Sequence, residues 1–209
     1  MKVIIFDFDG TIADSFETVL RISNQLAAEF GYPITRSEEI TELKNLSSRE
    51  VMQRARISPF KLPFLLLRLR RELNREIDQL HLIPGMKTSL LSLKQQGYAL
   101  GIVTSNSRQN VNTFLQLQGL NEVFDFVDSG LALFGKGRII QRLLKRHKLN
   151  SMEVIYVGDE TRDIEAARKI GICAIAVSWG FNSSQALAAE NPNALIHHPD
   201  ELLSAIQQV

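Results

Sequence analysis

Asp7 and Asp9 stand two residues apart, directly after the apolar run Val3–Phe6, and Gly10 and Thr11 follow at once. In extended chain, residues i and i+2 point to the same side. Both carboxylates can therefore reach one ligand. Left alone, two carboxylates ~4 Å apart repel by ~4 kcal/mol at an effective dielectric of ~20. Protons or a cation must offset that. Three further groups of polar residues follow apolar runs. They are Thr104-Ser105-Asn106, Gly135-Lys136-Gly137, and Gly158-Asp159-Glu160-Thr161-Arg162-Asp163. Oxygen ligands with no His or Cys beside them select a hard cation, of which Mg²⁺ is the commonest. Asp7 and Asp159 would supply its carboxylate oxygens. Thr104, Ser105 and backbone N–H groups would hold phosphate oxygens. Lys136 would balance the acids and bind the phosphoryl group as a point charge. Gly10 allows a sharp turn that aims backbone donors inward. One aspartate of the first pair can then attack phosphorus, while the other protonates the leaving oxygen and later activates water.

The elements that must position these groups are legible as periodicity. Short apolar runs, Val3–Phe6, Ala99–Val103, Phe124–Val127, Val154–Val157, Cys173–Val177 and Ala194–Ile196, read as strands buried on both faces. Helical patterns at Lys87–Gln96, Arg108–Gln118, Arg138–Lys148, Ile164–Ile170 and Glu201–Gln207 separate them. The alternation predicts a parallel sheet, whose carboxyl edge is where ligands bind. Between Asp14 and His81 the alternation stops, and only helices are expected. Asp14 with Glu17, Thr35 with Glu38 and Ser47 with Glu50 suit helix starts. A last helix would carry Leu62, Leu66, Leu69, Leu73, Ile77 and Leu80 on one stripe. The fold class is therefore α/β, a Rossmann-like parallel sheet with an inserted helical cap. The core is expected at residues 1–13 and 82–209, and the cap at 14–81, lying over the site as a lid.

Taken together these residues resemble the motifs of the haloacid dehalogenase superfamily. Asp7-Phe8-Asp9-Gly10-Thr11 matches the first motif, Thr104 the second, Lys136 the third, and Gly158-Asp159 with Asp163 the fourth. The resemblance implies Asp7 as nucleophile and Asp9 as general acid and base. It implies Asp7, the backbone carbonyl of Asp9, and Asp159 as Mg²⁺ ligands, and Asp163 as a metal-shell or lysine-orienting residue. The phosphatases of the superfamily carry the second aspartate, so Asp9 argues for phosphate chemistry. The core and the position of the cap resemble the phosphoglycolate-phosphatase-like branch, which implies a small phosphorylated metabolite as substrate.

Other readings compete. Gly130 to Lys136 spells the start of a nucleotide-binding P-loop, but Gly137 replaces its Ser/Thr and the interior is Leu-Ala-Leu-Phe. A phospho-accepting receiver domain uses similar residues but has no inserted cap. A sugar phosphomutase would use the same two aspartates. Lys44 and Arg49 read as a solvated positive edge. Arg68, Arg70, Arg71 and Arg75 read as surface, Trp179 as packing, and His197-His198 as structural or exposed. The 209 residues carry a net charge of +1 and 44% apolar residues, which gives no pull toward nucleic acid or membrane. Cys173 is the only cysteine, so no internal disulfide forms, and it is expected to be buried and inert. The cytoplasm is the expected location, and a monomer or homodimer the expected state.

Overall fold

The structure, a computed structural model, describes residues 2–130 and 136–209. In chain order the strands are β1 (Val3–Phe6), β2 (Ala13–Asp14), β3 (His81–Leu82), β4 (Ala99–Thr104), β5 (Phe126–Ser129), β6 (Val154–Gly158), β7 (Cys173–Val177) and β8 (Ala194–Ile196). The helices are α1 (Phe16–Phe30), α2 (Ile40–Lys44), α3 (Ser48–Arg54), α4 (Leu62–Arg75), α5 (Met86–Gln95), α6 (Arg108–Leu117), α7 (Lys136–His147), α8 (Thr161–Ile170), α9 (Ser184–Ala189) and α10 (Leu202–Gln208). The fold is α/β. Six parallel strands form one sheet in the order β5-β4-β1-β6-β7-β8. The chain winds outward to one side of β1 and then to the other, which opens a crevice at the carboxyl ends of β1 and its neighbours.

The period of two along β1 explains the layering. Ile4 and Phe6 join Met86, Leu90 and Leu93 of α5, Val111 and Phe114 of α6, and Leu202 and Ile206 of α10. Val3 and Ile5 face the other way, toward Ile140 and Leu143 of α7, Ile164 and Ala167 of α8, and Leu187 of α9. Both faces of the sheet are covered, so its strands have no need of polar alternation. Among the described residues, no helix is long and apolar enough to cross a membrane.

Helices α1 to α4 form a block with its own apolar cluster, in which Ile22 and Leu26 meet Leu65 and Leu73. Two expectations change here. The stretch is not purely helical, because Ala13 and Asp14 pair antiparallel with Leu82 and His81, tying together the two ends of the block. The leucine stripe is also not one helix. α4 ends at Arg75 and a single 3₁₀ turn, Ile77–Gln79, follows. Ile77 and Leu80 are thereby handed to the core under the sheet, while Leu65 and Leu73 stay in the block. Ser47 and Glu50 do form a capping box at α3. The other two start signals fall one residue early: Ser15 precedes α1, and Arg36 N–H bonds Glu39. Strand β5 begins two residues later than its apolar run, since Phe124 packs edge-on against Phe6 and the Asp125 carboxylate accepts the Leu100 N–H.

Candidate active site

The pairing of β1 runs one residue past the strand, with Asp7 N–H bonding the Val157 carbonyl at 2.9 Å. Phe8 continues the even-numbered face into the core, where it meets Phe114 edge-on at 5.1 Å. That anchor turns the chain. The Phe8 carbonyl accepts N–H bonds from Thr11, Ile12 and Ala13, and Gly10 N–H donates to Ala13. Gly10 has φ +76°, and a Cβ there would lie 2.3 Å from Asp159 Oδ2 and 2.5 Å from the Phe181 ring. The donor expected of Gly10 is thus engaged within the loop, and what the glycine supplies is room and a left-handed turn.

Asp7, Asp159 and Asp163 converge from the ends of β1 and β6 and the first turn of α8. Each offers one carboxylate oxygen, and these oxygens lie within 4.8 Å of one another. Lys136, the first residue of α7, reaches Asp7 Oδ2 at 2.6 Å and Asp163 Oδ1 at 2.5 Å. Asp159 accepts the Thr11 hydroxyl at 2.6 Å and the Phe181 N–H at 2.8 Å. All four charged side chains are buried. Burial works against the charge on Lys136, but Asp163 and Asp7 overcome it and hold the ammonium well above its ordinary pKa. Burial, then the neighbouring Glu160, Asp7 and Asp163, push Asp159 well above the carboxylate range. Asp163 is pushed up to about 6, mainly by burial, with Lys136 pulling the other way. Three acids against one ammonium is a donor set that fits a hard divalent cation, and no His or Cys belongs to this group.

The Asp9 carboxylate does not join that group; it turns to Asn106. Asn106 Nδ2 donates to Asp9 Oδ2 at 3.1 Å and to Oδ1 at 3.3 Å. The amide cannot flip, because its oxygen accepts from Ser107 N–H and Asn110 Nδ2. Burial, helped by the charge of Asp7, raises Asp9 to about 7, and the Asn106 donor moderates the rise. Asp9 is thus poised to hold or release a proton near neutrality. Thr104 is buried, and its hydroxyl oxygen accepts the Asn106 N–H at 2.9 Å. Ser105 lines the cleft with Asp7 and Asp9. The cleft holds about 160 Å³, small beside the ~300–1,000 Å³ of sites for drug-sized ligands.

Several residues prove closer to the site than their sequence context suggests. Arg70 was expected at the surface, yet it lines the cleft and donates to the Asn106 carbonyl. The signal was its spacing, since Arg70 is i+4 from Leu66 and i−3 from Leu73 and so lies on the buried stripe. Lys44 is no solvated edge either, because its ammonium bonds the Gly180 carbonyl at 2.9 Å and sits over the Phe16 ring. Glu160 accepts the Ser48 hydroxyl at 2.7 Å and pairs with Arg162. Trp179 packs on the sheet core as expected, and its indole N–H braces the Thr11 carbonyl. His197 is exposed; its ring bonds the Ser178 hydroxyl and its backbone N–H donates to Glu201. Cys173 is half-buried, less enclosed than expected. Of the P-loop-like run from Gly130 to Lys136, residues 131–135 lie outside the described residues; the lysine that ends it serves Asp7 and Asp163.

Comparison with known proteins gives the family and the fold. The family model described as haloacid dehalogenase-like hydrolase matches residues 4–177. A protein named phosphoglycolate phosphatase from Synechococcus elongatus is 44% identical over 209 residues, covering 100% of this chain and 99% of the relative. One of the same name from Vibrio cholerae is 28% identical over 219 residues, covering 99% and 97%. A haloacid dehalogenase-like family hydrolase from Streptococcus pneumoniae superposes with a TM-score of 0.80 at 24% identity, covering 99% of both chains, and shares the fold.

Proposed function

The chain belongs to the haloacid dehalogenase-like hydrolases, and from that premise we propose that it is a Mg²⁺-dependent phosphatase acting on phosphoglycolate or a close analogue. The reaction divides between the two aspartates. Asp7 attacks phosphorus, and the bond from phosphorus to the alcohol oxygen breaks as Asp9 gives that oxygen its proton. This leaves an aspartyl-phosphate on Asp7. Asp9, now a carboxylate, takes a proton from a water that attacks the phosphorus, which frees Asp7 and phosphate. Lys136 holds the phosphoryl oxygens by charge, with Thr104 and Ser105 supplying further donors. Asp7, Asp159 and Asp163, with the backbone carbonyl of Asp9, are the residues that would hold Mg²⁺, which when bound neutralises charge on the transferring group.

The observation that carries this reading is the placement of Asp9. Its carboxyl lies beside Asp7, is held by Asn106, and is raised to about 7, so it remains protonated where an unperturbed aspartate would not. The relatives' name favours hydrolysis over the phosphomutase alternative. We further read residues 14–81 as the cap. It supplies Ser48, Leu66, Leu69 and Arg70 to the cleft, and closing it would shut out bulk solvent while phosphate is transferred to Asp7. A free, half-buried Cys173 suits a reducing cytoplasm.

Assay of the purified protein with Mg²⁺ against a panel of phosphorylated metabolites tests the assignment. Rapid quenching with ³²P-labelled substrate should place acid-stable, base-labile label on the Asp7 peptide. The Asp7→Asn protein should fold normally, turn over at least ~10³-fold more slowly, and take no label. Label on any other residue would overturn the choice of nucleophile, and full activity in excess chelator would overturn the metal requirement.

A further inference from the structure

Arg70 stands apart from the other cations at this cleft. Lys136 is neutralised by Asp7 and Asp163, and Arg162 by Glu160. The Arg70 guanidinium is partly withdrawn from water; the Asp9 carboxylate attracts it, but among the described residues no carboxylate comes close enough to form an ion pair with it. Its Nη2 donates to the Asn106 carbonyl at 2.5 Å, and its Nε is buried with no partner. Removing a charge from water without pairing it is unfavourable, and the state that relieves it has an anion bound there.

The position says which part of the substrate that anion belongs to. Asp9 protonates the oxygen that leaves, so the alcohol portion lies on the Asp9 side of the phosphorus. Asn106 joins the two groups: its side-chain amide holds Asp9, and its backbone carbonyl holds Arg70. The other residues that α4 lends to the cleft are Leu66, Leu69 and Leu73, and the remaining polar lining of Ser48, Glu160 and Arg162 is already hydrogen-bonded within itself. A planar guanidinium with donors in a fork matches a carboxylate. We infer that Arg70 is the specificity-determining residue of this cleft, taking a carboxylate carried on the alcohol portion of a small phosphomonoester. This rests on the phosphatase reading above, and it assigns the choice of substrate to one side chain of α4.

The test compares 2-phosphoglycolate with ethyl phosphate, which keeps the two-carbon skeleton and lacks the carboxylate. Binding is measured by calorimetry, with Mg²⁺ present, on the Asp7→Asn protein and on Asp7→Asn combined with Arg70→Gln or Arg70→Lys. Thermal melts check that each variant folds. The expected preference for 2-phosphoglycolate is about ten- to a hundred-fold, the worth of one charge-assisted pair. Arg70→Gln should abolish it, and Arg70→Lys should keep a fraction, since it retains the charge without the fork. A preference that survives Arg70→Gln overturns the inference. So does an equal weakening of both esters, which would mean Arg70 acts only by bracing Asn106. Turnover by the unmutated protein separates the two readings. Hydrolysis of both esters with no preference overturns the role of Arg70 alone. Hydrolysis of neither overturns the phosphatase reading, and the binding ratio still decides Arg70.

Discussion

Asn106 donates to the charged form of Asp9 and so lowers a pKa that burial has raised. Removing the amide therefore raises that pKa further. The general acid stays protonated to higher pH, and the alkaline limb of kcat/KM, which reports the free enzyme's acid, moves upward. We expect Asn106→Ala to show this shift with a loss in kcat/KM of about tenfold, the ~1.4 kcal/mol of one hydrogen bond to a charged group. A limb that stays put or moves down in a pH–rate series would detach Asn106 from Asp9. Lys136 makes a second residue-scale prediction. Its ammonium separates two buried carboxylates, and stripping one partner from a buried charged group destabilises by ~3–5 kcal/mol. Lys136→Met should show that loss in urea denaturation with chelator present, and should weaken inhibition by inorganic phosphate. Adding Asp163→Asn should recover part of the stability but not the phosphate affinity.

At the scale of elements, the two apolar clusters separate the work of the leucines. Leu73 is buried between α4 and α1, and Leu93 of α5 lies under the sheet. A buried Leu→Ala substitution costs ~2–5 kcal/mol, but the two losses should appear in different places. Leu73→Ala should raise hydrogen exchange in residues 16–75 and leave β1 protected, whereas Leu93→Ala should expose β1 and β4. Equal loosening of both regions by Leu73→Ala would mean that the block and the sheet unfold as one unit. Strand β4 shows how close packing selects a residue. A Cβ on Gly101 would meet the Phe126 ring of β5 at 2.0 Å. Gly101→Ala should destabilise by ~1–3 kcal/mol through overpacking, read from the denaturation midpoint.

At the scale of the whole molecule, a small polar seam ties the helical block to the sheet beside the cleft. Asn182, after β7, donates to the carbonyls of Lys44 at 3.0 Å and Leu46 at 2.8 Å, and its oxygen accepts the Thr161 N–H at the start of α8. Ser183 N–H bonds the Lys44 carbonyl as well, and Ser48 reaches Glu160. Asn182 therefore fastens the helical block to the loop that also carries Asp159. Asn182→Ala removes three hydrogen bonds at a buried position. It should speed exchange in residues 40–54 and raise KM several-fold with a smaller change in kcat. Unaltered exchange there would place the fastening elsewhere, at Lys44 or Ser48.

The sequence by itself determined the strands of the parallel sheet, the carboxylates at its edge and Lys136, because each depends on short-range pattern. Short apolar runs that alternate with helical patterns read as strands buried on both faces, and acids directly after them lie at their carboxyl ends. Even there the bounds of β5 shifted, since Phe124 is apolar for the sake of the core and not of the strand. The tertiary structure alone decided the rest. Nothing local shows that β2 and β3, far apart in sequence, pair to close the helical block, or that the leucine stripe serves two cores. Asn106 reads as one polar residue in a loop until the fold sets it between Asp9 and Arg70. The spacing of Arg70 sets it on the leucine stripe, but only the packing of α4 on α1 brings it to Asn106. Contacts between residues distant in the chain depend on how the apolar faces stack, and that is settled only when the whole core closes.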